Sequence, residues 1–133
     1  YGKQGASPLP YRVLKLALYP ENRAWLHRRI EERFHSMLAH GLLDEAKALF
    51  ARTELLPSLP SLRTVGYRQV GLYLSKIVNY DQMVDLGTAA TRQLAKRQLT
   101  WLRASTDCQR FDCSAAVDVG QAALEYLFAR LSI

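Results

Sequence analysis

This 133-residue sequence predicts a mainly α-helical domain with one or two short strands, and three observations carry that prediction. Asn79 to Arg103 separates apolar from basic residues at helical period over its whole length. Glu21 to His40 and Leu42 to Arg52 repeat apolar residues at i, i+3 and i+4, with Gly41 between them. Only one run, Tyr11 to Tyr19, is rich in β-formers, and Pro20 ends it.

Composition is that of a soluble globular chain, 49% hydrophobic and 23% charged, long enough for one core. Eighteen Lys and Arg against twelve Asp and Glu give a formal charge of +6, which points to anionic partners. No apolar run reaches the roughly 20 residues of a membrane span, and no signal peptide is visible, so no membrane partner is expected. Cys108 and Cys113 lack zinc-ligand spacing and read as ordinary thiols in a reducing cytoplasm.

Taken in order, residues 1–10 read as a connector from a missing N-terminal part, and 11–133 as the portion it leads into. The strand spans 11–19. A lone strand needs a sheet, and with Gln109 to Cys113 as the only other weak candidate the sheet is expected to be supplied from upstream. Helices are expected over about 22–40, 43–52, 62–75, 80–103 and 115–131.

In the first helix Leu26, Ile30, Phe34, Met37 and Leu38 share a face that Arg33 interrupts, three residues after Ile30 and four before Met37. Such an Arg snorkels, satisfies a buried carboxylate, or clamps an anion through its guanidinium fork. His27, His35 and His40 lack a ligand set and read as a solvated face rather than a metal site. Asp44 is the expected N-cap of the second helix.

Pro57 and Pro60 hold the next link extended, and Ser61 is placed to cap a helix carrying Arg63, Thr64, Val65, Gly66, Tyr67 and Arg68. Gly66 inside a helix costs about 1 kcal/mol against Ala, so it implies close approach of another backbone. That backbone is either a neighbouring helix or a nucleic-acid strand, with Arg63 and Arg68 on phosphates and Tyr67 stacking.

The helix that follows is capped by Asn79 with Gln82 three residues on. Met83, Ala90, Leu94 and Trp101 define its packing face, and Arg92, Lys96 and Arg103 the opposite one. Between Thr88 and Thr106 there is no Asp or Glu to neutralise Arg92, Lys96, Arg97 and Arg103 within the helix, which favours a polyanion over a merely solvated face. The last helix, with Val119, Ala123, Leu127 and Leu131 facing inward, reads as packing.

The runs RIEERFHSMLAHGLLDE, LPSLRTVGYRQV and ATRQLAKRQLTWLR closely resemble, in order and spacing, the C-terminal part of the bacterial tRNA dimethylallyltransferase family. The resemblance covers roughly Leu9 to Arg103 and fades over the last thirty residues. It implies transfer of a dimethylallyl group from dimethylallyl diphosphate, with Mg²⁺ on the diphosphate, to the exocyclic amine of the adenosine 3′ to the anticodon, flipped from its stack. It further implies that Arg63-Thr64-Val65-Gly66-Tyr67-Arg68 and Lys96-Arg97-Gln98-Leu99-Thr100-Trp101-Leu102-Arg103 contact the tRNA anticodon arm, and that Arg33 faces the diphosphate. An α/β P-loop core resembling nucleotide kinases, together with ATP-type nucleotide-binding motifs and the general-base Asp, would lie upstream of Tyr1. The fragment alone would then be inactive, and the complete enzyme a cytoplasmic monomer. Its rivals are a standalone helical RNA-binding module, which would leave Arg33 without a phosphate, and a structural protein whose basic stripe meets acidic helices.

Overall fold

The computed structural model describes residues 10–11, 13–52, 60–115 and 118–131, apart from the side chain of Ser61. The described elements are strand β1 (Leu16–Leu18), helices α1 (Arg23–Ala39) and α2 (Leu42–Phe50), a 3₁₀ turn at Pro60–Arg63, helices α3 (Tyr67–Leu74) and α4 (Tyr80–Ala104), strand β2 (Gln109–Phe111) and helix α5 (Val119–Leu131). The chain is therefore mainly α with two short strands.

The helices pack as a ring of neighbours: α1 lies on α4 and α2, and α3 lies on α4 and α2. Their shared core is Phe34, Ala46, Val70, Met83 and Val84, one or two side chains from each of α1 to α4. Asn22 caps α1 by accepting from the Trp25 amide at 3.0 Å. Asn79 and Gln82 form the reciprocal pair expected of them, each accepting from the other's backbone amide at 2.9 Å.

β1 pairs in parallel with β2, Leu16 opposite Gln109 and Leu18 opposite Phe111, so the weak candidate near 109–113 is its partner within this chain. A parallel pair needs a long crossover, and α1 to α4 supply it. Three local expectations change. Gly41, in the left-handed region at φ 98°, both follows α1 and starts α2, so Asp44 sits in the first turn of α2, paired with Lys47 at 3.4 Å, and is not its cap. The expected helix at 62–75 begins only at Tyr67, because Gly66 adopts φ 102° and ψ −71°, which no helix contains. The α5 helix has no buried residue, and Leu131, expected inward, is 64% exposed; the helix leans on the ribbon through Tyr126, whose ring meets Phe111 edge-on at 5.9 Å. Pro57 and residues 1–9 fall outside the described residues.

Candidate nucleic-acid interface

The packed face of α4 is not the one its large apolar residues mark. Met83, Val84, Gly87 and Thr88 are buried, whereas Leu94 is partly exposed and Trp101 is 70% exposed. At about 100° per residue the buried face is turned roughly 70° from the Met83–Leu94–Trp101 line. Small residues set the rotation: a Cβ on Gly87 would lie 2.4 Å from Cζ of Phe34, so α1 approaches where α4 has no side chain. Burial is confined to the first turns, so the second half of α4 keeps both apolar and basic side chains within reach of solvent.

That rotation brings the basic residues to the rim of a groove instead of the back of the helix. A cavity of about 300 Å³ between α1 and α4 is lined by Arg92, Lys96, Leu99 and Arg103 from one side and Arg23, Leu26 and His27 from the other. Arg92 is half-buried and its Nη2 meets Glu31 of α1 at 3.4 Å, so its charge is partly answered within the protein. No carboxylate lies within ion-pair distance of Lys96 or Arg97 among the described residues. A second, more open groove of about 590 Å³ is lined by Lys96, Arg97, Thr100 and Trp101, so an exposed indole stands beside two unneutralised cations. Base stacking on an aromatic ring next to phosphate-binding cations is how single strands are held without sequence readout. Gln98 is exposed, Leu99 and Leu102 are half-buried, and the Thr100 hydroxyl donates to the Lys96 carbonyl at 2.9 Å.

Residues 63–68 form a turn and not the start of a helix, which alters how they present. Arg63 and Arg68 are exposed and line one cleft of about 600 Å³ with Phe50, Leu62 and Gly71. Gly66 is buried, its amide donating to Oε1 of Gln69 at 2.9 Å, while Thr64 and Val65 are exposed. Apart from its chain neighbours, no atom of the described residues stands within 4 Å of where a Gly66 Cβ would be, so Gly66 serves a backbone angle and not a close helix contact. Tyr67 is half-buried against the core, and its hydroxyl donates to the Glu45 carboxylate of α2, a bond that raises the phenol's pKa. Its hydroxyl is thus engaged by α2 while the ring packs partly on the core.

Arg33 is exposed on α1 and lines none of these grooves. It sits roughly 80° around the helix from the midpoint of buried Ile30 and Phe34, at the edge of the apolar stripe and not on it. Arg23 and His27 were not legible as partners of α4, although their spacing with Leu26 places all three on adjoining turns of one face.

The IPP transferase family model matches residues 1–105. The chain belongs to this family. It is similar to the tRNA dimethylallyltransferases of Bordetella pertussis, 52% identical over 113 residues (85% of this chain and 36% of the relative), and Aromatoleum aromaticum, 51% identical over 133 residues (93% and 42%). Among solved structures, the full-length tRNA isopentenylpyrophosphate transferase of Bacillus halodurans superposes with a TM-score of 0.81 at 31% identity, covering 92% of this chain and 40% of that one. The corresponding transferase of Staphylococcus epidermidis shares the fold, with a TM-score of 0.75. This IPP transferase chain thus spans about two-fifths of the length of those relatives. Both segments quoted for the resemblance, 63–68 and 96–103, fall within the matched residues.

Proposed function

We propose that this chain is the tRNA-gripping part of an enzyme that prenylates the adenosine 3′ to the anticodon. In the reaction the exocyclic nitrogen of that adenosine bonds to C1 of the dimethylallyl group, the C1–oxygen bond to diphosphate breaks, and the amine loses a proton. The observation that carries the reading is the second groove, where Lys96 and Arg97 flank exposed Trp101 with no carboxylate answering them among the described residues. The relatives' name, tRNA dimethylallyltransferase, supports the substrate class.

In this reading Lys96, Arg97 and Arg103, with Arg63 and Arg68 in their separate cleft, take phosphates of the anticodon arm. Trp101 stacks on an unpaired base. Arg33, exposed and without an ion-pair partner among the described residues, binds the diphosphate of dimethylallyl diphosphate with its fork. Among the described residues no three His, Cys, Asp or Glu side chains come together to hold a metal, so Mg²⁺ on the diphosphate is assigned no ligand here.

The test is a titration of an anticodon stem-loop RNA, by fluorescence anisotropy, against the parent chain and the Lys96→Gln, Arg97→Gln double variant at several salt concentrations. Weaker binding with a shallower salt dependence is expected. Equal binding by parent and variant, or tighter binding of an acidic peptide than of RNA, would overturn the reading.

A further inference from the structure

Arg103 is held from both strands of the β-ribbon. Its Nε donates to the Tyr19 hydroxyl at 2.5 Å, and its guanidinium carbon lies 5.5 Å from the Tyr19 ring centroid. Tyr19 is itself fixed, since its amide continues the ladder beyond β1 by donating to the Phe111 carbonyl at 2.8 Å. From the other strand, Nη2 of Arg110 donates to the carbonyls of Leu102, Arg103 and Ser105 at 3.2, 2.9 and 3.1 Å. Leu102 and Arg103 are among the last carbonyls of α4, which lack i+4 partners within the helix, and Ser105 is its C-cap, so the guanidinium clasps the end of α4. At the other end of the ribbon, before both strands begin, Lys15 and Asp107 form an ion pair.

An Arg on the exposed end of a helix ordinarily samples many rotamers, and ordering it on a ligand costs conformational entropy. Here the ordering is done beforehand. The Tyr19 hydroxyl occupies Nε and leaves both Nη groups without a partner among the described residues, and Arg110 fixes the backbone from which the side chain springs.

We propose that Tyr19 is a positioning residue for RNA binding: it preorients Arg103 so that the Nη edge of the guanidinium meets a phosphate of the bound strand. The proposal rests on the nucleic-acid reading of α4, and a double-mutant cycle separates the two. Anticodon stem-loop RNA is titrated against the full chain carrying Tyr19→Phe, Arg103→Gln, or both, with thermal midpoints measured in parallel. Tyr19→Phe keeps the ring and removes only the hydroxyl, so it should weaken RNA binding about three- to tenfold, the range of one net hydrogen bond. In the Arg103→Gln background the same change should have no further effect on RNA affinity, whatever it does to the midpoint. Equal losses in both backgrounds, or no loss with Arg103 present, would overturn the positioning role. If Arg103→Gln by itself leaves RNA affinity unchanged, the nucleic-acid reading of this residue fails, and the proposal fails with it.

Discussion

The Phe34 ring lies where a side chain at Gly87 would have to be: a Cβ built on Gly87 falls 2.4, 2.8 and 2.9 Å from three of its ring atoms. Phe34 is 1% exposed and heads the core, so the ring has nowhere to retreat. This contact decides how closely α1 and α4 approach, and hence the width of the basic groove beyond it.

Gly87→Ala should therefore destabilise the fold by about 1–3 kcal/mol, the usual cost of overpacking, despite the better helix propensity of Ala. Phe34→Leu in the same chain should recover part of the loss by vacating the ring positions. Thermal or denaturant unfolding of the two single variants and the double measures this. A Gly87→Ala midpoint equal to or above the parent's would refute it.

Removing cations one at a time from α4 should separate those already answered from those available. Arg92→Gln should change the salt dependence of RNA binding little, because Arg92 faces Glu31. Lys96→Gln, Arg97→Gln and Arg103→Gln should each flatten the log–log slope by up to about 0.7–0.9 for each phosphate no longer neutralised. Equal slopes for all four variants would contradict this ranking.

Arg33→Ala should leave the stability within about 0.5 kcal/mol of the parent, since the side chain is exposed. In a polypeptide competent for transfer it should impair use of dimethylallyl diphosphate while tRNA affinity persists. Arg33→Lys should restore only part of that loss, because an ammonium lacks the planar fork. An unchanged donor KM and kcat in the Ala variant would remove Arg33 from the donor site.

At Gly66 a side chain meets open space but a forbidden backbone angle, φ 102°. Gly66→Ala and Gly66→Leu should then cost nearly the same, on the order of 1–3 kcal/mol of stability, since the strain arises at the first carbon. A Leu variant far worse than the Ala variant would instead mean that its bulk collides with something.

The Asp112 carboxylate accepts from the Ser114 hydroxyl and amide and from the Glu21 amide, and these bonds hold its pKa below the ordinary carboxylate value. A depressed pKa contributes stability above the unfolded-state value of about 3.9 and loses it as the pH falls through the folded one. Asp112→Asn should lower the thermal midpoint at neutral pH, and the gap should close in acid. A gap that persists in acid, or its absence at neutral pH, would dismiss this linkage.

What the residues disclosed was local. The Asn79–Gln82 cap, the left-handed Gly41 and the existence of each helix follow from short-range chemistry, and the charge run on α4 was visible because no acid interrupts it. Its facing was not, because a helical period built on large apolar residues ignores the small ones that admit a neighbour. The same oversight assigned close approach to Gly66 when it belongs to Gly87, and put Arg33 on a stripe that it only borders. Tyr19, Arg110 and Glu31 carry no signal in sequence: Tyr19 and Glu31 meet their partners far along the chain, and Arg110 reaches back across a turn that no period describes. The strand pairing was hidden by the same distance.

The ribbon has a kinetic corollary. Lys15 and Asp107, at its mouth, are 92 residues apart along the chain, and closing so long a loop in an unfolded polymer costs about 4 kcal/mol beyond a constant. Three ladder pairs cannot meet that cost alone, but helices folded in between shorten the span. The strands should accordingly zip last, after α1 through α4 have docked. The C-terminal end of α4 is thus set only when the rest of the array is in place, so, if α4 binds RNA as proposed, a chain caught half-folded should hold RNA poorly even with every basic residue intact.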